Sequence, residues 1–398
     1  MRIVALLLAV LLTGAATPSV QASTLTVAFE RACERTPEIQ ALIARRAVVD
    51  ARQNAAGALL PGGPWTTVMH RTDALTHDRG TRDYVAEFMV PIWLRGERGA
   101  SLAAALTEGE RLDAEVAFRR LEVAKRIRDA YWMAVEARDK ATIAERRRTT
   151  AAVLLQDVRG QVRTGQVGVM ETRLAEADVS DAEAASAGRR AELKQGVIAF
   201  RVLTGLDPPP AYRERDARSA TPASHPRIVL RHSALRKAFA EQDLTWIMDR
   251  ERPEFGAFAQ NMTDTSAEPN VTTLGVRLKI PFAYDAVNQP KRAAAAAEVV
   301  AAREELSLAE REVAGEADQA QARLDGARQQ LAALEARRGS LAVVAQLAQE
   351  GQRAGQVALS ELIRSRLQLY EADLARAIAR VALERARSDR NQALGLEP

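Results

Sequence analysis

Two long stretches of the chain repeat apolar residues at helical spacing. In the first, Leu112, Val116, Val123, Ile127, Ala130 and Ala134 step by 4, 7, 4, 3 and 4. In the second, Leu324, Leu331, Leu334, Leu341, Val344 and Ala348 step by 7, 3, 7, 3 and 4. Such heptad-like seams predict long helices packed side by side. Proline supports this, since none falls between Pro91 and Pro208 or between Pro290 and Pro398, and a proline inside a helix costs about 3 kcal/mol. Each zone has one break, at Gly165 or Gly355. The pattern therefore predicts two helical hairpins, each with an arm of about 60 residues before the glycine and about 40 after it, the longer arm extending roughly 90 Å.

Before each hairpin the period changes from helical to alternating. Trp65–Asp73 and Asp83–Trp93 read as one pair of strands, and Glu254–Asp264 and Val271–Phe282 as a second. In the last of these, Thr272, Leu274, Val276, Leu278 and Ile280 share one face; Val271, Thr273, Gly275, Arg277 and Lys279 share the other. That alternation suits a strand with lipid on one side and water on the other, at the length of about 9–11 residues that a tilted membrane strand needs. A soluble β-hairpin capping a helical bundle would show the same alternation. Trp65, Tyr84 and Trp93 stand near strand ends, where interfacial aromatics gather.

The two halves are copies of one unit. Gly165 and Gly355, Gln166 and Gln356, and Val167 and Val357 are each 190 residues apart, as are Pro91 and Pro281, Gly205 and Gly395, and Leu206 and Leu396. Landmarks of rare residue types kept in one register mark a tandem repeat. The expected organisation is a signal peptide over 1–22 and a first repeat over 23–206, with a β-hairpin at about 65–93 and a helical hairpin at about 95–203. A Pro-rich linker over 207–226 leads to a second repeat over 227–398, with the corresponding hairpins at about 254–282 and 285–396.

Composition narrows the class. The chain has 398 residues, 47% hydrophobic but only 4% aromatic, a balance that favours long helices. Its net charge of +4 arises from basic residues mixed with acidic ones, which describes solvated helical faces and not a nucleic-acid footprint. Arg2 followed by the apolar run Ile3–Leu12 and by Val20-Gln21-Ala22 reads as a secretory signal with cleavage before Ser23. Cys33 is the only cysteine, too far along the chain to be the lipidated residue of a new N-terminus. No later segment has the 18 or so consecutive apolar residues of a membrane helix, so a membrane would have to be crossed by strands. Four strands per chain are too few to close a barrel, whereas three chains would supply twelve.

These features resemble the TolC-like outer-membrane efflux family over nearly the whole mature chain. Thr24–Gly62 is similar to that family's opening helix pair, and the Gly-Gln-Val turns and the Thr204–Pro208 unit end are similar as well. The resemblance implies a homotrimer, with a twelve-stranded barrel in outer-membrane lipid continued by an α-helical barrel through the periplasm. It also implies a passive exit duct that docks onto a periplasmic adaptor and an inner-membrane pump. Pro91–Ala105 further resembles the strand-to-helix junction of the cobalt–zinc–cadmium subfamily, which suggests heavy-metal cation efflux; drug efflux and type I secretion use the same architecture. A periplasmic coiled-coil or adaptor protein is the reading from another class.

The resemblance also assigns candidate residues. Glu361 matches an acidic position at the periplasmic entrance, with Glu171 as its repeat partner; the second acidic position of the family is Arg364 here. Three copies of Glu361 would ring the entrance and favour cations, whereas an isolated Glu–Arg pair three residues apart on a helix is worth at most about 0.5 kcal/mol. The turns Thr164, Gly165, Gln166, Val167 and Ala354, Gly355, Gln356, Val357 are the expected adaptor contacts. His70 and His77, and His225 and His232, lack the spacing of a metal site. No phosphate loop, nucleophile elbow or Cys/His cluster is present in the sequence, so neither an enzyme nor a cofactor is expected.

Overall fold

A computed structural model describes residues 25–209, 212, 214, 221–265, 267 and 269–398. The expected signal peptide and part of the 207–226 linker lie outside the described residues. The first half opens with α1 (Leu25–Arg35) and α2 (Pro37–Gly57), continues through β1 (Trp65–Thr72) and β2 (Arg82–Pro91), and ends in the hairpin of α3 (Glu97–Arg163) and α4 (Val169–Thr204). The second half runs through α5 (Pro226–Ile247), β3 (Glu254–Thr263), β4 (Val271–Lys279), α6 (Asp285–Arg353) and α7 (Leu359–Ala393). The offset of 190 that relates the sequence landmarks also relates α2 to α5, α3 to α6 and α4 to α7. Among the described residues at the place corresponding to α1, the second half has a short 3-10 turn at Pro222–Ser224.

Each long helix ends for a local reason. Gly165 and Gly355 adopt φ of +74° and +73°, a left-handed conformation that glycine reaches without strain. Their amides close the last turns, Gly165 N–H donating to Val162 O and Gly355 N–H to Gln352 O, each at 3.0 Å. The long arms have 67 and 69 residues, the return arms 36 and 35. Pro290 lies inside the second turn of α6, so the helix begins before the proline-free zone does.

Small residues let the arms of the first hairpin approach closely. A Cβ added at Gly196 of α4 would stand 3.1 Å from the Ala134 Cα of α3. The main core lies near the middle of α3, where Val123, Ile127, Tyr131 and Trp132 pack against Leu25, Phe29 and Cys33 of α1, Phe200 of α4 and Val381 of α7. Tyr131 and Trp132 meet edge-on at 4.9 Å, which makes them packing residues. The apolar seam foreseen on α3 is buried or half-buried throughout. The seam on α6 is not: Leu324 and Ala348 are buried, but Val344 is exposed and Leu331, Leu334 and Leu341 only half-buried. The physical reason is that α6 lies at the outer side of the helical layer, with no second hairpin of the chain beyond it.

The strands form one antiparallel sheet in the order β1-β2-β3-β4. The inner pairing, Arg82↔Thr263 through Pro91↔Glu254, joins the two halves. Among the described residues, β1 and β4 each have one edge without a partner strand.

Candidate functional site

The register assigns every strand residue to one of two faces. One face carries Val68, Tyr84, Phe88, Phe255, Leu274, Val276 and Leu278, all exposed. The opposite face carries Arg71, Asp83, Glu87, Glu254, Gln260, Arg277 and Lys279. There the charges are paired across strands: Asp83 lies 2.9 Å from Arg71 and accepts a hydrogen bond from Gln260 Nε2 at 2.9 Å. Glu87 pairs with Arg277 at 2.7 Å, and Arg277 also lies over the Phe258 ring at 5.3 Å. Asp83 and Glu87 are buried although charged, while Tyr84 and Phe88 beside them are exposed although apolar. This inverts the polarity of a soluble sheet and matches a wall with lipid outside and water inside. His70 stacks on Tyr84 at 4.3 Å on the apolar face.

The junction between sheet and helical hairpin is built by the run that resembles the metal-efflux subfamily. Gly96 takes φ +85°. The fully buried Glu97 accepts the Leu94 N–H at 3.0 Å and pairs with Arg252 at 2.6 Å. Arg98 donates to the Ala56 and Gly57 carbonyls at the end of α2, and Arg252 lies 5.6 Å from the centre of the Trp93 ring. Trp93, Glu97, Arg98 and Arg252 tie the end of α2, the end of β2, the start of α3 and the approach to β3 into one corner.

At the far end of the hairpins, Thr164, Gly165, Gln166, Ala354, Gly355 and Gln356 are exposed, whereas Val167 and Val357 are half-buried. Val357 folds back on its own turn: a Cβ at Gly351 would come within 2.6 Å of it. The Val357 side chain is therefore tucked in, because the missing side chain at Gly351 leaves it a seat. Glu361 and Arg364 form an exposed pair 3.8 Å apart on α7. Glu171 is half-buried with one carboxylate oxygen unpartnered. Glu171 and Glu361 occupy the first turns of α4 and α7.

Between the hairpins, Leu154 and Val158 of α3 pack against Leu359 and Leu362 of α7, with Ala175 and Ala348 behind them. Charges reinforce the same seam, Arg380 pairing with Asp139 at 2.6 Å and Arg385 with Asp129 at 2.7 Å. Sequence reasoning missed a buried knot at the base of the hairpins. There the Arg128 guanidinium lies 2.7 Å from Glu214, which also accepts from Ser388 and Asn391. Arg128 reaches the Leu396 carbonyl as well, at 2.9 Å. These contacts span 86 to 268 residues, and no local pattern signals them. Among the described residues, no group of three His, Cys, Asp or Glu side chains could hold a metal, and no helix is long and apolar enough to cross a membrane.

No family model and no curated protein matches the sequence. Solved structures do match. The chain superposes on a membrane protein from Pseudomonas aeruginosa with a TM-score of 0.74 at 16% identity, over 93% of each chain. Against the outer membrane protein VceC of Vibrio cholerae the TM-score is 0.73 at 13% identity, over 93% of this chain and 96% of that one. Against the open MtrE outer membrane channel of Neisseria gonorrhoeae it is 0.71 at 17%, over 93% and 88%. The chain thus has the fold of the TolC-like outer-membrane channels.

Proposed function

We propose that the chain is one subunit of a homotrimeric outer-membrane channel, the passive exit duct of a tripartite efflux system. The observation that carries this reading is the sheet, with its apolar face turned outward, its ion pairs on the other face, and an unpaired strand at each edge. Unpaired edges cannot persist in lipid, where every backbone group needs a partner. Three copies joined β4 to β1 would close a twelve-stranded wall with the charges lining water. Export by the signal peptide would deliver the chain to the outer membrane, with α3, α4, α6 and α7 reaching into the periplasm. The turns at 164–168 and 354–358 would then face a periplasmic adaptor and, through it, an inner-membrane pump. Heavy-metal cations are the cargo we infer from the run at Pro91–Ala105, with drugs or secreted protein as the alternative cargoes of the same duct. The reading assigns no catalysis to the chain.

Fractionation of cells producing the protein tests the proposal. Heat-resistant trimers in the outer-membrane fraction are expected, and a soluble periplasmic monomer would sink it. A deletion strain hypersensitive to cobalt, zinc or cadmium would fix the cargo as metal, and one hypersensitive only to drugs would reassign it.

A further inference from the structure

A cleft of about 230 Å³ opens between the two hairpins, beyond the seam formed by Leu154 and Leu359. Five arginines line it: Arg146 and Arg147 from α3, Arg338 from α6, and Arg366 and Arg376 from α7. Only two carboxylates do, and each already has a partner. Asp178 pairs with Arg147 at 3.2 Å and Asp373 with Arg338 at 2.8 Å. Arg147 is held further by lying over the Tyr370 ring at 5.0 Å. Among the described residues, no carboxylate comes within ion-pair distance of Arg146, Arg366 or Arg376. Arg366 Nη1 and Arg376 Nε are buried with no acceptor among the described residues, and Arg366 Nη2 donates a 3.3 Å hydrogen bond to Gln349.

A guanidinium cannot shed its proton at any ordinary pH, so a buried N–H without an acceptor is a standing cost. Burial pushes the Arg366 pKa below its usual value, more than the nearby Asp178 and Asp157 offset. The repeat gives an independent comparison. At the places of Arg146, Arg366 and Arg376, 190 residues away, stand Ala336, Glu176 and Ser186. There Glu176 pairs with Arg159 at 3.0 Å, so that half of the molecule neutralises its own charge. The cationic cleft belongs to the seam within the chain and does not arise from the repeat.

We propose that this cleft binds a small oxyanion of the phosphate or sulfate class, one per chain, bridging α3 and α7. Planar guanidinium forks match tetrahedral oxyanions with paired N–H donors. Arg146 lies roughly 70 Å along α3 from its start beside the sheet, at about 1.5 Å per residue. The ligand is therefore a soluble anion and not a headgroup of the bilayer that the strands would cross. Occupancy would tie the two hairpins together at this level of the helical layer.

The test is calorimetric titration of the purified full-length protein in detergent. Inorganic phosphate and sulfate are compared with chloride at matched ionic strength. Saturable binding near one oxyanion per chain is expected, weakened about tenfold by Arg366→Gln or Arg376→Gln, each of which removes a charge-assisted contact. Arg146→Gln, on the exposed side of the cleft, should weaken binding severalfold and carries the test if the buried variants fail to fold. Heat signals identical for phosphate and chloride, or phosphate affinity unchanged in the variants that fold, would overturn the proposal. Neither result bears on whether the chain is an efflux duct.

Discussion

Leu359 and Val169 hold the same place in the two halves of the chain, 190 residues apart, yet Leu359 is 5% exposed and Val169 67%. Leu359 opens α7 and rests on Leu154 and Val158 of α3. Val169 opens α4 and has no corresponding cover. The other side of the seam behaves alike, with Leu154 5% exposed and its repeat partner Val344 48%. In the homotrimer proposed above, α6 of one chain would pack on α4 of the next, repeating between chains the packing of α3 on α7 within one.

Charge placed on that open seam should block assembly without unfolding the chain. Val169→Asp and Val344→Asp are expected to abolish heat-resistant trimers while leaving helical circular dichroism unchanged. Leu359→Ala acts inside the chain and should cost about 2–5 kcal/mol, read as an earlier denaturation midpoint. Trimers that survive both aspartates would refute the pairing of α6 with α4.

The charged face of the sheet should set ion preference. Asp83→Asn removes the partner of Arg71 and makes the wall more positive. Arg277→Gln frees Glu87 and makes it more negative. Reversal potentials in planar bilayers under a salt gradient should shift toward anions in the first variant and toward cations in the second. Shifts of the same sign, or none, would place these residues away from the water path.

The entrance pair gives a sharper contrast between stability and conduction. Glu361 and Arg364 are solvent-exposed and 3.8 Å apart, so Glu361→Ala should change stability by less than about 0.5 kcal/mol. If three copies of Glu361 ring the entrance, the same substitution lowers cation preference in single-channel recordings.

The turn glycines separate backbone strain from crowding. Nothing lies within 4 Å of a Cβ at Gly355, whose φ is +73°, so Gly355→Ala should cost only about 1 kcal/mol of left-handed strain. Gly351→Ala drives a methyl into Val357, at 2.6 Å. Its expected result is a displaced tip, visible as faster proteolysis between the arms of the second hairpin.

His225 should make the base of the hairpins sensitive to acid. Its Nδ1 accepts the Arg227 N–H at 3.1 Å and caps α5, while the ring lies against Gly395. Burial, with Arg227 adding to it, lowers its pKa below the ordinary 6.5. The unfolded chain therefore takes up this proton first. The contribution is complete above pH 6.5 and falls away as the pH drops through the lowered folded value. Melting temperatures should decline over that interval, and His225→Asn, which keeps a capping acceptor, should flatten the decline.

The sequence by itself determined the repeat, the two helical hairpins with their glycine turns, and the four strands. Each of these is written in short-range periodicity or in residues such as glycine and proline, whose backbone limits act locally. It also placed the exposed tips and the Glu361–Arg364 pair, because residues three apart on a helix are neighbours whatever surrounds them. Only the tertiary structure decided which of two equivalent apolar residues is covered, that Val357 turns inward, and that Glu97 and Arg98 lock a corner. It alone gathered Arg128 with Glu214, and five arginines into one cleft. Those outcomes depend on which helices become neighbours across as many as 268 residues, and a pattern read along the chain carries no term for contacts made across it.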